Sequence, residues 1–351
     1  MITNKEERFQ WLLLDWFSRN HRPLPWKGER DPYIIWLSEI ILQQTTVEQG
    51  TAYFEKFKKT YPSVFDLANA PDDAVMKLWE GLGYYARARN LLAAARHIVF
   101  ELNGSFPTTY IDILNLKGVG PYTAAAIASF AFNEPRAVVD GNVYRVLSRV
   151  FGIETPIDAP HARTLFTDLA MILLDKNRPA DFNQAIMDFG ATCCTPAKPQ
   201  CVGCVMQADC IAFQEKKVHV LPAKSKKMVK KERFFNYLIF NNGANTYIRK
   251  RIEKDIWQDL YEFPLVETRE LGTEDNLNIS NLHYTIIKKS QPFKQQLTHQ
   301  TIIGIFWEIE VKDGQLLKEA GFLHVDRGSL SAYAFPKLID SYLKEKVLTL
   351  F

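Results

Sequence analysis

The sequence predicts a multidomain protein, an all-α amino-terminal part followed by a smaller α+β part. Three observations predict it. Residues 1–215 carry apolar residues at helical spacing, interrupted by Pro62, Pro71, Gly81, Gly83, Gly104, Pro107 and Pro121. After Arg233 the pattern turns β-rich, beginning with FFNYLIF and an Asn-Asn-Gly turn signal. Between the two lies KKVHVLPAKSKKMVKK, residues 216–231, with seven Lys and one Pro. We therefore divide the chain at 1–215, a basic linker at 216–232, and 233–351. The linker reads equally as a solvated tether or as a strap over phosphates.

Within the first part, Asp31-Pro32 marks a helix start, with Asp as N-cap and Pro at the first helical position. YIIWLSEIILQQT continues it, and Leu78–Phe100 and Ala162–Leu174 read as further helices. In the second part TYIRKR, TIIKKS and TIIGIFWEIEV read as strands. Asp326–Tyr333 and Pro336–Lys344 read as helical. No internal repeat is evident.

Composition excludes several classes. Hydrophobic residues make up 47% and charged residues 24% of 351, an ordinary globular balance. A net charge of +3 leaves any nucleic-acid surface to local clustering of Lys and Arg. MITNKEERFQW has charges of both signs and no apolar core, unlike a signal peptide. The longest apolar run, Ala124 to Phe132, is far short of the ~20 residues a membrane span needs. We expect a soluble, intracellular monomer, cytoplasmic and nucleoid-associated if bacterial.

All five cysteines fall between Cys193 and Cys210. Cys194, Cys201, Cys204 and Cys210 form C-x6-C-x2-C-x5-C, a loop over 194–210 able to wrap one metal centre. Four thiolates suit Zn²⁺ or a [4Fe–4S] cluster. Zinc ribbons usually offer two C-x2-C knuckles and this loop has one, which favours iron–sulfur. Cys193 is left over. Lys198, between Pro196 and Pro199, is placed either to meet a phosphate or simply to be solvated.

ILNLKGVGPYTAAAIA, residues 113–128, reads as helix, Gly118-Val119-Gly120 turn, and a second helix opened by Pro121. Gly118 and Gly120 permit a tight turn with N–H groups facing out. The helix end adds positive potential, so the hairpin can hold one DNA phosphate without reading sequence. Asp140, in VVDGNVYRVLSR, is either an N-cap or a carboxylate set opposite a cationic transition state. Glu39, Leu42 and Gln43 share one face of the helix after Pro32.

Together these motifs resemble the helix-hairpin-helix, endonuclease III-like DNA glycosylase superfamily over residues 5–215. PLPWKGERDPYIIWLSEIILQQT, WEGLGYYARARNL, GVGPYTAAAI, VVDGNVYRVLSR and FNQAIMDFGATCCT make the chain similar to the adenine DNA glycosylase (MutY) family. IEKDIWQDLYEFP resembles a segment of the Nudix-like domain that such proteins carry. No G-x5-E-x7-R-E-x2-E-E box is present, so this domain is expected to bind rather than hydrolyse.

The resemblance implies a [4Fe–4S] cluster and, as partner, duplex DNA containing A:8-oxoguanine or A:G mispairs. It implies that Glu39 protonates adenine N7 and later assists water. Asp140 would stabilise the oxocarbenium-like sugar, with Tyr122 and Asn142 lining the sugar and water side. Arg22, Lys27, Leu42 and Gln184 match positions around the extruded base. Lys27 stands where the family more often has Arg, which removes the planar fork. Gln44 and Tyr84 match residues wedged beside 8-oxoguanine. Leu297-Thr298-His299 matches the 8-oxoguanine loop, commonly Phe-Ser-His, with the role carried over to Thr298 and His299. Bifunctional relatives place a Lys at the second position after G-V-G. Here it is Tyr122, and a phenol forms no imine, so a monofunctional enzyme is expected. An oxidised-pyrimidine glycosylase, a non-catalytic Fe–S DNA-binding module and a Nudix hydrolase are the competing readings.

Overall fold

The computed structural model describes residues 5–20, 22–225, 230–277 and 283–348. The helices in chain order are α1 (Lys5–Arg19), α2 (Pro32–Leu42), α3 (Val47–Thr60), α4 (Val64–Ala68), α5 (Asp72–Trp79), α6 (Ala86–Phe100), α7 (Tyr110–Leu114), α8 (Pro121–Phe132), α9 (Gly141–Phe151), α10 (Ala162–Leu173), α11 (Pro179–Thr192) and α12 (Ile211–Gln214). The strands are β1 (Lys231–Asn241), β2 (Asn245–Lys250), β3 (Tyr261–Glu262), β4 (Leu265–Thr268), β5 (Tyr284–Lys289), β6 (Phe293–Gln296), β7 (Gln300–Val311) and β8 (Leu323–Asp326). Helices α13 (Gln315–Glu319) and α14 (Lys337–Leu348) flank β8.

The chain packs as two compact units: residues 1–69 with 90–227, and residues 70–89 with 228–351. The sequence division at 215 is contiguous; these units are not. Segment 70–89 joins the carboxy-terminal unit through polar pairs that no local pattern announces. Asp73 accepts from Lys250 and from the Tyr261 hydroxyl, Lys77 donates to the Tyr333 carbonyl, and Phe335 N–H donates to Glu80.

The first unit is all helical. Asp31 caps α2 by accepting from Tyr33 N–H, and Pro32 opens it. Every residue from Tyr33 to Ile41 is buried, so α2 is a core helix rather than a half-solvated one. The helices α1, α9, α10 and α11 enclose one core through Phe9, Leu13, Val146, Phe166, Phe182 and Phe189. Helix α9 ends at Gly152 with φ +67°, where a Cβ would lie 2.6 Å from Ile211. Leu78–Phe100 is not one helix. Gly81, Gly83 and Tyr84, at φ +93°, +75° and +50°, break it into α5 and α6.

The basic linker, where it is described, is packed rather than a solvated tether. Val218 and Leu221 are buried against Ala212, Arg149 donates to the Leu221 carbonyl, and Ile157 N–H donates to Ala223. Residues 226–229 of the linker lie outside the described residues, and β1 already begins at Lys231, within its final positions.

The second unit is α+β. Its larger sheet has the order β4-β1-β7-β5, with β6 also paired to β7. Strands β1 and β7 run parallel from Lys231↔Gln300 to Asn241↔Glu310. A smaller antiparallel sheet has the order β3-β2-β8. The four strands read from sequence are β1, β2, β5 and β7; the short β3, β4, β6 and β8 have too few residues to show an alternation. Asp326–Tyr333 is a 3₁₀ turn over Arg327–Ala332 rather than a helix of full length. Leu297-Thr298-His299 forms the tip of the β6–β7 hairpin, closed by Leu297 N–H to the Gln300 carbonyl.

Glu262, fully buried, is held by Arg251 and Arg249. Burial pushes its carboxyl pKa up, against the pull of the two guanidiniums. Removing one partner of a buried pair leaves charge uncompensated. Arg251→Ala is therefore expected to destabilise the protein by about 3 kcal/mol. The urea midpoint measures this, and an unchanged midpoint would show that Arg249 alone suffices.

Candidate active site and cysteine loop

The amino-terminal unit contains a cleft of about 1350 Å³. The sequence-derived residues Arg22, Lys27, Glu39, Leu42, Gln44, Gly118, Gly120, Tyr122, Asp140, Asn142 and Gln184 all line it. Three short elements position the candidate residues. Helix α2 brings Glu39; the first turn of α8 brings Tyr122; the start of α9 brings Asp140 and Asn142. The hairpin is as expected: Gly118 has φ +80°, Gly120 caps α8 and Pro121 is its first residue. A Cβ at Gly118 would lie 2.5 Å from Asn90, so this glycine is required by packing as well as by φ. A Cβ at Gly120 would meet nothing within 4 Å, leaving its face open to an incoming group.

Glu39 is 9% exposed. Burial pushes its pKa up from 4.5 to about 7; a hydrogen bond from Tyr122 opposes this and the nearby Asp140 charge reinforces it. Tyr122 is pushed well above the usual phenol range by burial and by both carboxylates, so it stays a donor. Asp140 is the N-cap of α9, one of the two roles open to it in the sequence. Its Oδ1 accepts from Val143 N–H at 2.8 Å as the α9 N-cap, and its Oδ2 accepts from Asn142 Nδ2 at 2.7 Å. Burial raises its pKa, while those bonds and the Arg145 charge pull it down.

Two arginines that the sequence reading passed over tie this site to the cysteine loop. Arg145 donates to Asn142 Oδ1 at 2.8 Å, to the Gly190 carbonyl at 2.7 Å and to the Cys194 carbonyl at 2.7 Å. One turn on, Arg149 donates to Cys194 Sγ at 3.4 Å and to the Thr195 and Pro196 carbonyls. Their signal in the sequence is a pair of Arg at i and i+4 on a helix otherwise buried by Val and Leu. Asp188 was likewise passed over. It is buried on α11 and accepts from Lys27 and Gln184. The signal there is an acid one turn beyond Gln184 in a helix with few other charges.

Cys194, Cys201, Cys204 and Cys210 border one small cavity, joined by Cys193, with Val150, Met206 and Val218 as apolar wall. Among the described residues no three His, Cys, Asp or Glu side chains gather tightly enough to hold a single metal ion. A lone Zn²⁺ would draw four sulfurs to ~2.3 Å from one point. Four thiols bordering a common space, with an Arg149 donor at one sulfur, have the chemistry to hold an anionic metal–thiolate centre. Lys198 is exposed on this loop and does not border the cleft.

Tyr84, Thr298 and His299 belong to the other unit. There the exposed Tyr84 and Thr298 hydroxyls hydrogen-bond to each other, and the His299 carbonyl accepts from Lys231 N–H. Tyr84 and Gln44 both adopt positive φ, +50° and +58°, a strained backbone that holds each side chain outward. No described helix is long and apolar enough to cross a membrane.

A family model described as HhH-GPD superfamily base excision DNA repair protein matches residues 37–170, and a NUDIX domain model matches residues 236–345. A solved thermostable thymine-DNA glycosylase shares 32% identity, with a TM-score of 0.56 over 60% of this chain and 97% of its own. An endonuclease III–DNA complex has the same fold at 22% identity, with a TM-score of 0.53 over 62% and 99%. The chain is thus a base-excision DNA glycosylase built on a helix-hairpin-helix unit, with a Nudix-like unit after it. Adenine DNA glycosylase of Buchnera aphidicola subsp. Schizaphis graminum is 35% identical over 299 residues, 84% of this chain and 85% of the relative. That of Mus musculus is 43% identical over 215 residues, 59% of this chain and 42% of the longer mouse protein. The chain belongs to the adenine DNA glycosylase family.

Glu39 makes the cleft titrate. Between pH ~4.5 and ~7 the unfolded chain loses this proton while the folded protein keeps it. Stability from this residue therefore falls as pH rises through that window, by on the order of 3 kcal/mol in all. Glu39→Gln is expected to match the parent near pH 4 and to exceed it at pH 8 by on the order of 2–3 kcal/mol. Urea unfolding of both proteins at the two pH values measures the difference.

Proposed function

We propose that this enzyme hydrolyses the N-glycosidic bond of adenine mispaired with 8-oxoguanine or guanine in duplex DNA, without cleaving the strand. The observation that carries this is the grouping of Glu39, Asp140 and Tyr122 in one cleft beside the Gly118–Gly120 hairpin. Membership of the adenine DNA glycosylase family supports the choice of base.

The hairpin N–H groups and the α8 amino terminus hold a phosphate, and the adenosine turns out of the stack into the cleft. Arg22, Lys27, Leu42 and Gln184 surround the base. Protonated Glu39 donates to adenine N7, so the C1′–N9 bond breaks with its electrons passing to a neutral leaving group. The Asp140 carboxylate, oriented by Asn142 and Val143 N–H, faces the cationic sugar that results. Glu39, now ionised, takes a proton from water as its oxygen bonds to C1′. Tyr122 holds Glu39 and supplies no amine, so no imine forms and the abasic strand stays intact. Within the carboxy-terminal unit, Tyr84, Thr298 and His299 are the residues for 8-oxoguanine; in the amino-terminal unit, Gln44 is the wedge into the duplex.

Cys194, Cys201, Cys204 and Cys210 would hold a [4Fe–4S] cluster. When bound, such a cluster supplies a rigid covalent cross-link among four points of the loop. The loop in turn presents Lys198 to the phosphates. Cys204→Ser is expected to abolish the broad visible absorption of the purified protein and its iron content. A parent protein that carries zinc and no colour would overturn the cluster.

The test of function is single-turnover incubation of duplexes with adenine opposite 8-oxoguanine, guanine or thymine, developed with and without alkali. The parent should release adenine opposite 8-oxoguanine fastest, with strand breaks appearing only after alkali. Glu39→Gln should bind the duplex and release at least ~10³-fold less. Breaks without alkali would instead place the chain with strand-cleaving relatives, and release of thymine would reassign the base.

A further inference from the structure

Asp188 lies one helical turn beyond Gln184 on α11, and its side chain is 3% exposed. It accepts hydrogen bonds from two residues of the cleft wall, the Lys27 ammonium and Gln184 Nε2, the latter at 3.2 Å. A carboxylate can only accept, whereas an amide has a donor end and an acceptor end. Asp188 therefore fixes which end is which: the Gln184 NH₂ is committed to Asp188, and the carbonyl Oε1 is the end offered to a ligand. Reversing the amide would set Oε1 against a buried carboxylate, acceptor against acceptor. Lys27 neutralises the carboxylate, so the arrangement leaves no unpaired charge in the wall.

An acceptor held in place discriminates between bases at one position. Adenine carries an amine there, which donates. Hypoxanthine and guanine carry a carbonyl, which can only accept. We propose that Asp188 is a positioning residue that fixes the Gln184 amide and so makes the cleft select a base with a 6-amino group over one with a 6-carbonyl. The inference rests on the adenine reading of this cleft. It also gives Lys27 a role: as a compact point charge it pairs with Asp188 rather than forming a planar fork on the base.

The experiment measures single-turnover release of three bases opposite the same 8-oxoguanine: adenine, hypoxanthine, and purine unsubstituted at position 6. Purine has neither donor nor acceptor there and reports general damage to the cleft. The proteins are the parent, Asp188→Asn, and Asp188→Asn with Lys27→Met, the double variant removing an ammonium that would otherwise be left unpaired. In both variants the Gln184 amide can reverse. The adenine-to-hypoxanthine rate ratio is expected to fall at least ~10-fold, with adenine losing and hypoxanthine gaining relative to purine. A common fall for all three bases would make Asp188 merely structural and overturn the proposal. A parent that releases purine but no adenine overturns the adenine reading itself, a separate outcome.

Discussion

The structure of the amino-terminal unit hangs on two guanidiniums one turn apart on α9. Arg145 and Arg149 are 8% and 2% exposed, and a buried guanidinium without acceptors would be untenable. Their donors are spent on the carbonyls of Gly190, Cys194, Thr195, Pro196 and Leu221 and on the Asn142 side chain. These are groups at the end of α11, in the cysteine loop and in the segment beyond it. None of them has a helix or sheet ladder to satisfy it. The result is that loop backbone is pinned to the same helix whose first residues carry Asp140 and Asn142. A shift of the cysteine loop must pull on Arg145, and Arg145 holds the amide that holds Asp140. The thiols thus need no contact with substrate to affect where the Asp140 carboxylate points.

Three of the acidic side chains that line the cleft, Glu39, Asp140 and Asp188, sit in different surroundings. Glu39 has burial and a like charge against it, and only a phenol in its favour, so its pKa is pushed up to about 7. Asp140 is also raised by burial, but a backbone N–H, an amide and a guanidinium support its charge. Asp188 has an ammonium against it and is an ion pair. One cleft therefore contains a carboxyl raised by burial, a carboxyl whose charge three donors support, and a carboxylate in an ion pair. This ordering comes from neighbours and burial rather than from residue type, and it is the usual way that paired carboxylates divide their roles.

Legibility in the sequence followed the range of the interaction. The α2 start, the glycine hairpin and the Asp140 cap are settled by contacts within four residues, and spacing alone placed them. The cysteines were legible because four thiols in 17 positions have few other uses. The break at Gly81–Tyr84 was hidden because apolar spacing continues across it, even though its glycines were visible. The membership of residues 70–89 in the second unit depends on Asp73 meeting Lys250 and Tyr261, 177 and 188 positions away, and no local pattern encodes that. Asp188 was hidden for the opposite reason: it lies four residues from Gln184, but an acid at that spacing is ordinary until its burial is known.

The departures from family expectation also become intelligible as pairs rather than as single residues. Thr298 keeps the hydroxyl of the serine that the family resemblance leads one to expect, and that hydroxyl is what meets Tyr84. The methyl it adds and the aromatic ring lost at Leu297 fall at a hairpin tip, where β6 and β7 fix the backbone and little packing is at stake. At Lys27 the change from a fork to a point charge is absorbed by a carboxylate that is itself buried. A guanidinium there would span two acceptors and compete with Gln184 for Asp188, whereas an ammonium leaves one oxygen of Asp188 to the amide. Substitutions that keep the hydrogen-bonding group while changing its carrier are those a buried polar network tolerates, because the cost of an unmet donor exceeds that of a small change in shape.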